Sequence, residues 1–495
     1  MKLENIVFNY FNQDNNFYGE KFEVIDPIKI RSKYLSLIKH LKKNCKTGDK
    51  VAIYLEKDYQ YVIVMLVCLQ LGLTFIPLNK KLPKQRIDTI LDIAKPALLV
   101  NDEHGDFKCD QVLLSDIFEI ESFENYPCKE VPEDDIAYII FTSGSTGEPK
   151  GVMIKRKSYA NFVQWVGSYF SEINDNDKLL NTADFTFDLS LLDVALLLSK
   201  NIHFFISNFN GNIFELMSEI ERKKITTMAT VPNNFQMLLS RGVYQRGNIS
   251  SLQYLLIGGA RFSYGLYNKF KENLKDANIY NLYGPTEATV YCSVKKIEFN
   301  NTDCIKENIS VGKSILNTDI KIVDEGNNDI DKNQVGRLLV GGIQVMDKYI
   351  NNDDKNKKVL LTIGSNIYYD TGDLSFVDSN QNIFIVGRSD DSLKVDGYRV
   401  NLSDIDSNIQ KLGYINECAT IAIEDKIKEN IMVTFIKAGQ RIKKDKVFVD
   451  LKSIMASYQI PKHLIFIDDF PLNSSGKICK KTLKNNYLKQ YDNTY

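Results

Sequence analysis

Hydrophobic and polar positions alternate in two rhythms along the first part of the chain. Residues 31–43 carry apolar side chains at helical spacing, 50–55 read as a buried strand, 61–71 as a helix and 74–78 as the next strand. The pattern continues with a helix over 83–94 and an extended segment at 97–101. Strands and helices in strict alternation predict a parallel α/β sheet. The rhythm returns between 159 and 280, with strands predicted at 201–206, 226–230 and 252–257, which predicts a second βα lobe. From 292 to 384 the text becomes rich in strands and turns, with strands at 319–323, 337–340 and 382–386, as a β-rich subdomain requires. After Gly387-Arg388-Ser389-Asp390-Asp391 the pattern restarts as a small α+β unit, so the expected domains are 1–388 and 389–495. The Asn-Asp-Lys cluster at 351–358 reads as a solvated loop, and no internal repeat or low-complexity tract is visible.

Composition narrows the function classes. At 495 residues the chain is too long for one core, and 44% apolar with 25% charged residues is ordinary for a soluble globular protein. A formal net charge of -1 leaves no electrostatic footprint for nucleic acid. The longest apolar run, 61–77, is broken by Gln70 and too short to span a bilayer, and no leader pattern opens the chain, so a cytoplasmic protein without membrane insertion is expected. The eight cysteines lack paired CxxC spacing and the four histidines lack ligand spacing, which argues against a disulfide framework, a zinc site or a His-based triad.

Three stretches carry chemistry. The run Thr142-Ser143-Gly144-Ser145-Thr146-Gly147-Glu148-Pro149-Lys150-Gly151 follows the apolar strand residues Ile139-Ile140-Phe141. Its glycines allow close backbone approach to an anion, its hydroxyls donate hydrogen bonds, and Lys150 adds a point charge suited to a polyphosphate. Lys150 follows Gly147 by three residues, so this is not a Walker A loop, and a flexible surface turn is the alternative. In Asn281-Leu282-Tyr283-Gly284-Pro285-Thr286-Glu287-Ala288-Thr289, Tyr283 offers a flat face for a base and Glu287 hard oxygens for magnesium; a Gly-Pro turn before a helix is the alternative. In Tyr369-Asp370-Thr371-Gly372-Asp373-Leu374, a carboxylate after a tight turn suits two ribose hydroxyls.

In this order, these motifs resemble the adenylate-forming superfamily of acyl-CoA synthetases, luciferases and the amino-acid adenylation domains of nonribosomal peptide synthesis. The resemblance covers nearly the whole chain and extends to Leu71-Gly72-Leu73-Thr74-Phe75-Ile76-Pro77-Leu78, Gly387-Arg388 through Lys394, Gly397-Tyr398-Arg399, Tyr458-Gln459-Ile460-Pro461 and Pro471-Leu472-Asn473-Ser474-Ser475-Gly476-Lys477. It implies ATP and Mg2+ as cofactors and an AMP-forming ligase whose small C-terminal domain is mobile. The 142–150 loop, including Thr142, Ser143, Gly144, Ser145, Thr146, Gly147 and Lys150, would enclose the β- and γ-phosphates. Gly258, Gly259 and Ala260 with Asn281, Leu282, Tyr283 and Gly284 would form the adenine slot. Thr286 would touch the α-phosphate, Glu287 would hold magnesium, and Asp373 assisted by Arg388 would bind the ribose. Asp390 would be the hinge, and Lys477 would neutralise charge on the carboxylate and α-phosphate.

The resemblance also bears on the acid. Family members that activate α-amino acids have an aspartate where this chain has Asp188, within Thr186-Phe187-Asp188-Leu189-Ser190, to meet the ammonium group. A buried anion is costly unless a cation arrives, which suits an amino-acid substrate; an N-cap for a helix over 189–198 is the alternative. Leu189, Leu192, Thr230, Leu255, Ile257, Leu282, Val290 and Tyr291 would complete a pocket without a second charge, and Tyr291 could shorten it to suit alanine or another small residue. The wording is similar to stand-alone enzymes such as the D-alanine carrier-protein ligases. With no carrier attachment sequence before Tyr495, the acceptor is expected to be a separate phosphopantetheinylated carrier protein, with coenzyme A as the competitor. Against the family pattern, Arg337 stands where an acid is usual and Asp370 and Asp396 where a base is common.

Overall fold

The computed structural model describes the chain apart from residues 1, 14–16, 19–23, 119–125, 143–148, 208, 210, 241–243, 245–246, 306–307, 389–391, 396–397, 426–428, 439–441, 472–477 and 492–495. The chain divides into two compact units. One comprises Met1–Lys80, Ile90–Phe141 and Gly151–Ser389; the other comprises Lys81–Thr89, Thr142–Lys150 and Asp390–Tyr495.

The first unit contains the two expected βα lobes. Its seven-stranded sheet runs in the order Lys348–Tyr349, Lys150–Lys155, Ile136–Thr142, Thr74–Pro77, Lys50–Tyr54, Leu98–Asn101, Gln111–Leu113, parallel from Ile136–Thr142 onward. The helix predicted from residue 31 starts earlier, at Pro27, because the Asp26 carboxylate accepts from the Ile28 amide at 2.9 Å and caps it. The helix Tyr59–Leu71 is apolar on nearly every face and correspondingly buried. Its one interior polar residue, Gln70, is satisfied by the Tyr34 hydroxyl at 2.5 Å, and Gly72 ends it at φ 72°.

The eight-stranded sheet runs in the order Phe17–Tyr18, His203–Ile206, Lys178–Asn181, Thr227–Thr230, Tyr254–Ile257, Asn278–Tyr283, Ser293–Lys296, Lys313–Ser314. The first six are parallel and the last two antiparallel. Phe17–Tyr18 is too short to show a period in sequence; it is pinned by a 2.8 Å hydrogen bond between the Tyr18 hydroxyl and His203 Nδ1. The two faces of this sheet feed different cores. Leu179, Ala229, Leu256 and Leu282 pack into the core that contains the apolar helix Leu189–Lys200. Leu180, Met228, Leu255, Ile257 and Ile279 pack into the other, beside Leu216, Phe235 and Phe270 of the helices Ile213–Lys223, Pro232–Leu238 and Tyr264–Asn273.

The β-rich subdomain is an antiparallel sheet of Thr318–Val323, Gly336–Gly342, Asn366–Val377, Leu360–Ile363 and Ile383–Arg388. The 351–358 cluster is not a loop: Asp353–Val359 is a helix with no buried residue, capped by the Asn352 side chain accepting from the Lys355 amide. Acids in its first turn and lysines in its last complement the helix dipole, a signal the polar composition obscured.

The second unit contains the hairpin Ser392–Val395 with Tyr398–Asn401. It also contains a three-stranded sheet in which Ile415–Asp425 pairs antiparallel to Glu429–Ala438, and His463–Phe466 parallel to it. The helices Leu402–Gln410, Lys444–Ile454 and Lys480–Tyr491 complete this α+β unit. Among the described residues no helix is long and apolar enough to cross a membrane.

Candidate active site

Strand Asn366–Val377 carries Asp373, which is 8% exposed and aligned with Arg388 of the neighbouring strand. Arg388 Nη1 donates to Asp373 Oδ1 and the Tyr283 hydroxyl to Oδ2, while Arg388 Nη2 reaches the Thr371 carbonyl at 3.0 Å. The tyrosine expected at the base and the carboxylate expected at the ribose are therefore joined directly. Burial and the neighbouring Asp373 push the Tyr283 phenol well above its usual range. The two family departures also meet here, because Arg337 Nη1 pairs with Asp370 Oδ2 and the charges usual at these positions are exchanged. Asp370 Oδ1 in turn accepts from the Gly372 amide at 3.0 Å, shaping the turn into Asp373. Asp396 lies outside the described residues.

Asn281, Leu282 and Tyr283 end the strand Asn278–Tyr283, and Asn281 spends Nδ2 on the Ser310 carbonyl at 2.8 Å. Gly284 is required by close approach: a Cβ there would lie 2.5 Å from Tyr291 Cα and 2.7 Å from the Val290 carbonyl oxygen. Thr286, Glu287 and Ala288 form a single 3-10 turn. It leads into two β-branched residues at positive φ, Thr289 at 53° and Val290 at 69°. The Tyr291 amide donates to the Thr289 carbonyl at 2.9 Å, so Val290 is the centre of a γ-turn of the rare, strained hand. Glu287 is 4% exposed, and its Oε1 accepts from the Tyr349 hydroxyl at 2.5 Å. A desolvated carboxylate so oriented has the hard oxygen donors that Mg2+ takes, so the residue fits the expected metal.

Thr142 ends the strand Ile136–Thr142 and Lys150 begins Lys150–Lys155, neighbours in the seven-stranded sheet. Ser143, Gly144, Ser145, Thr146 and Gly147 between them, the hinge candidate Asp390, and Lys477 lie outside the described residues.

On the acid side, Asp188 is 7% exposed and sits at the start of helix Leu189–Lys200 without a side-chain capping bond to it. Burial pushes the phenols of Tyr138 and Tyr291 well above their usual range, and the Asp188 charge adds to the shift of both. Gly258 and Gly259 lie close to several of the candidate acid-binding residues. A Cβ on Gly258 would lie 2.3 Å from the Tyr291 hydroxyl oxygen; one on Gly259, at φ 82°, would lie 3.5 Å from Phe187 and 3.8 Å from Leu189. Ala260, next in line, is half-buried. Leu189, Leu192, Leu282, Val290 and Tyr291 belong to one core.

The structure does not bring Leu255, Ile257 and Thr230 to that face. Alternation along the strands turns Leu255 and Ile257 into the opposite core, with Thr230 in register with Ile257 and bonded to Thr182 and Asn234. The resemblance, not a period within 252–257, places these three at the pocket, since a continuous apolar run carries no period of its own. Leu256 of this strand and Gly258 just after it, with Val231 beside Gly259, occupy the face that the resemblance assigns to their neighbours.

The helix Leu189–Lys200 carries another buried carboxylate, which no motif marks. Asp193 is 0% exposed; its Oδ2 accepts from Asn181 Nδ2 at 2.7 Å, and Oδ1 has no hydrogen-bond partner among the described residues. Burial pushes its pKa up to about 8, with Lys57 pulling it down. Lys57, from the seven-stranded lobe, donates to the Ser207 carbonyl at 2.7 Å and the Asn181 carbonyl at 3.2 Å, tying the two sheets together.

Comparison with known proteins agrees with this architecture. The chain is 30% identical to bacitracin synthase 1 of Bacillus licheniformis over 444 residues, which is 88% of this chain but only 8% of that protein. It is 29% identical over 461 residues to D-alanine--D-alanyl carrier protein ligase of Listeria monocytogenes serotype 4a, covering 89% of each. Among solved structures, an artificially fused adenylation-PCP di-domain NRPS from Klebsiella oxytoca matches at a TM-score of 0.83 and 19% identity, over 99% of this chain and 97% of that one. The o-succinylbenzoate CoA synthetase of Bacillus subtilis matches at 0.83 and 20%, over 97% and 98%. These two share the fold. The expected enzyme class, an AMP-forming ligase, agrees with the family and with the ligase relatives. Residues 31–350 match the AMP-binding enzyme family and 404–477 its C-terminal domain, and the chain belongs to that family.

Proposed function

We propose that the protein activates an amino acid with ATP, releasing pyrophosphate, and passes the aminoacyl group to the phosphopantetheine thiol of a separate carrier protein. The observation that carries the substrate class is Asp188, 7% exposed at the position where family members that activate α-amino acids have the aspartate that meets the ammonium group. The D-alanyl carrier protein ligase relatives support a small amino acid and a carrier acceptor.

In this reading a substrate carboxylate oxygen bonds to the α-phosphorus as the bond to pyrophosphate breaks. No general base is needed, because the nucleophile is already ionised, so the protein's work is alignment and charge neutralisation. Asp373 and Arg388 would orient the ribose, Tyr283 the base, Thr286 the α-phosphate, and Asp188 the ammonium group. Magnesium held by Glu287 would supply positive charge to the phosphates. Thr142, Lys150 and the segment between them would hold the departing phosphates, and Lys477 would neutralise the charge developing around the reacting atoms. The 389–495 region would turn about Asp390 between this step and thiol attack on the acyl carbon, in which AMP leaves.

Pyrophosphate exchange into ATP across L- and D-amino acids and short-chain, fatty and aryl acids tests the reading. Exchange driven by one or two small uncharged amino acids is expected, falling on the order of 100-fold in Asp188→Ala as a charge-assisted contact is lost. Exchange only with acids lacking an amino group would overturn it.

A further inference from the structure

Residues 344–350 form a strap that the motif reading left without a role. On one side it is sewn to the strand Lys150–Lys155: Tyr349 pairs with Val152, the Asp347 amide donates to the Met153 carbonyl at 2.8 Å, and the Ile350 amide to the Gly151 carbonyl at 2.9 Å. On the other it grips the Glu287 turn. The Met346 amide donates to the Glu287 carbonyl at 2.8 Å, Thr289 Oγ1 to the Gln344 carbonyl at 2.7 Å, and the Tyr349 hydroxyl to Glu287 Oε1 at 2.5 Å. Asn356 fixes the backbone of Tyr349 from both sides, its Oδ1 accepting from the Tyr349 amide at 2.8 Å and its Nδ2 donating to the carbonyl at 3.0 Å. Tyr349 is 2% exposed, so its hydroxyl is held rather than free to turn to solvent.

We propose that Tyr349 is a positioning residue for Glu287, setting through one hydrogen bond the carboxylate orientation on which divalent-metal affinity depends. A phenol on one carboxylate oxygen fixes the rotamer and leaves the group's other acceptor positions directed by the strap. Partners of metal-binding side chains typically govern affinity by about 10- to 100-fold. The strap also makes the metal carboxylate and the strand that follows the glycine-rich segment one mechanical piece. This inference rests on the proposed adenylation reading only in taking Glu287 as the metal residue.

The test is Tyr349→Phe, which keeps the ring and removes the hydroxyl. Binding of Mn2+ in the presence of ATP, with no acid added, is followed by electron paramagnetic resonance, and the Mg2+ half-saturation of pyrophosphate exchange is measured beside it. Mn2+ affinity weaker by about 10-fold or more is expected, with a matching rise in Mg2+ half-saturation and an unchanged half-saturation for the amino acid. In a Glu287→Gln background the same change should have no further effect. Mn2+ affinity within twofold of the parent protein would overturn the proposal, as would a parent protein that binds no Mn2+ with ATP. A parent that binds Mn2+ with ATP but exchanges with no acid would instead sink the adenylation reading and leave this test standing. Should Tyr349→Phe not fold, Asn356→Ala loosens the same hydroxyl, and an unchanged affinity there also overturns the proposal.

Discussion

Asp373 and Asp193 are both buried carboxylates in the same unit, yet their surroundings differ in kind. Asp373 has a guanidinium on one oxygen and a phenol on the other, at the edge of the β-rich subdomain. Asp193 has one amide on one oxygen and no hydrogen-bond partner for the other among the described residues, in the seam between the two lobes. Depth of burial therefore does not separate a site residue from a core residue; the number and charge of the donors does. A carboxylate given two charge-assisted donors is prepared to receive further hydroxyls, since it has about four acceptor positions. One given a single neutral donor is kept as a proton-bearing group of the interior.

The largest expected effect breaks the comparison at Asp373. Asp373→Ala removes the proposed ribose acceptor and takes the carboxylate away from Arg388, so half-saturation for ATP should rise on the order of 100-fold, as loss of hydrogen bonds to charged groups implies. Asp193→Asn should leave it within a few-fold. Equal effects in exchange assays would erase the distinction.

Asp193→Asn should act on stability and do so with a definite pH dependence. The folded pKa of Asp193, about 8, lies above the ordinary carboxylate value, so the native state retains a proton the unfolded chain releases. Its stabilising contribution is present below the unfolded pKa and is lost as pH rises through about 8. The variant lacks this loss, and urea denaturation at pH 5 and pH 8.5 should find its advantage growing by a few kcal/mol toward the alkaline side. A difference independent of pH would show that Asp193 is ionised in the fold.

The smallest effect belongs to the exchanged pair. Arg337 and Asp370 are partly exposed, with side chains 23% and 18% accessible, so Arg337→Glu should cost about 1 kcal/mol. Arg337→Glu combined with Asp370→Arg should recover most of it in a double-mutant cycle. Failure to recover would mean that the Asp370 contact to the Gly372 amide, not the ion pair, is what the turn needs.

Much of this organisation was legible in sequence because it is local. The strand and helix rhythm, the glycine-rich segment, the Asn281 to Thr289 motif and the Asp373 turn are all written in neighbouring residues. What escaped is non-local. One face of the strand Tyr254–Ile257 is covered by the distant helix Leu189–Lys200 and the other by neighbouring helices, and an unbroken apolar run does not disclose which alternate residues meet which. The Tyr349 contact to Glu287 spans 62 positions, and Lys57 to Asn181 spans 124, separations at which no spacing rule operates. Asp193 lies five residues after Asp188 on an apolar helix, and nothing in that wording says which of the two carboxylates a substrate would meet.

The contact of Gly284 with the backbone at 290–292 limits how this protein can diversify. In the proposed reading, where Tyr291 meets the acid, a lineage drifting toward a new acid is free to exchange the side chain at 291. It is not free to reroute the segment that presents it, because the bend at Val290 is folded against a glycine belonging to the Tyr283 to Glu287 motif. Changes of preference at this wall should thus come in discrete steps of side-chain size, while the path of the main chain is inherited unchanged with the nucleotide motif.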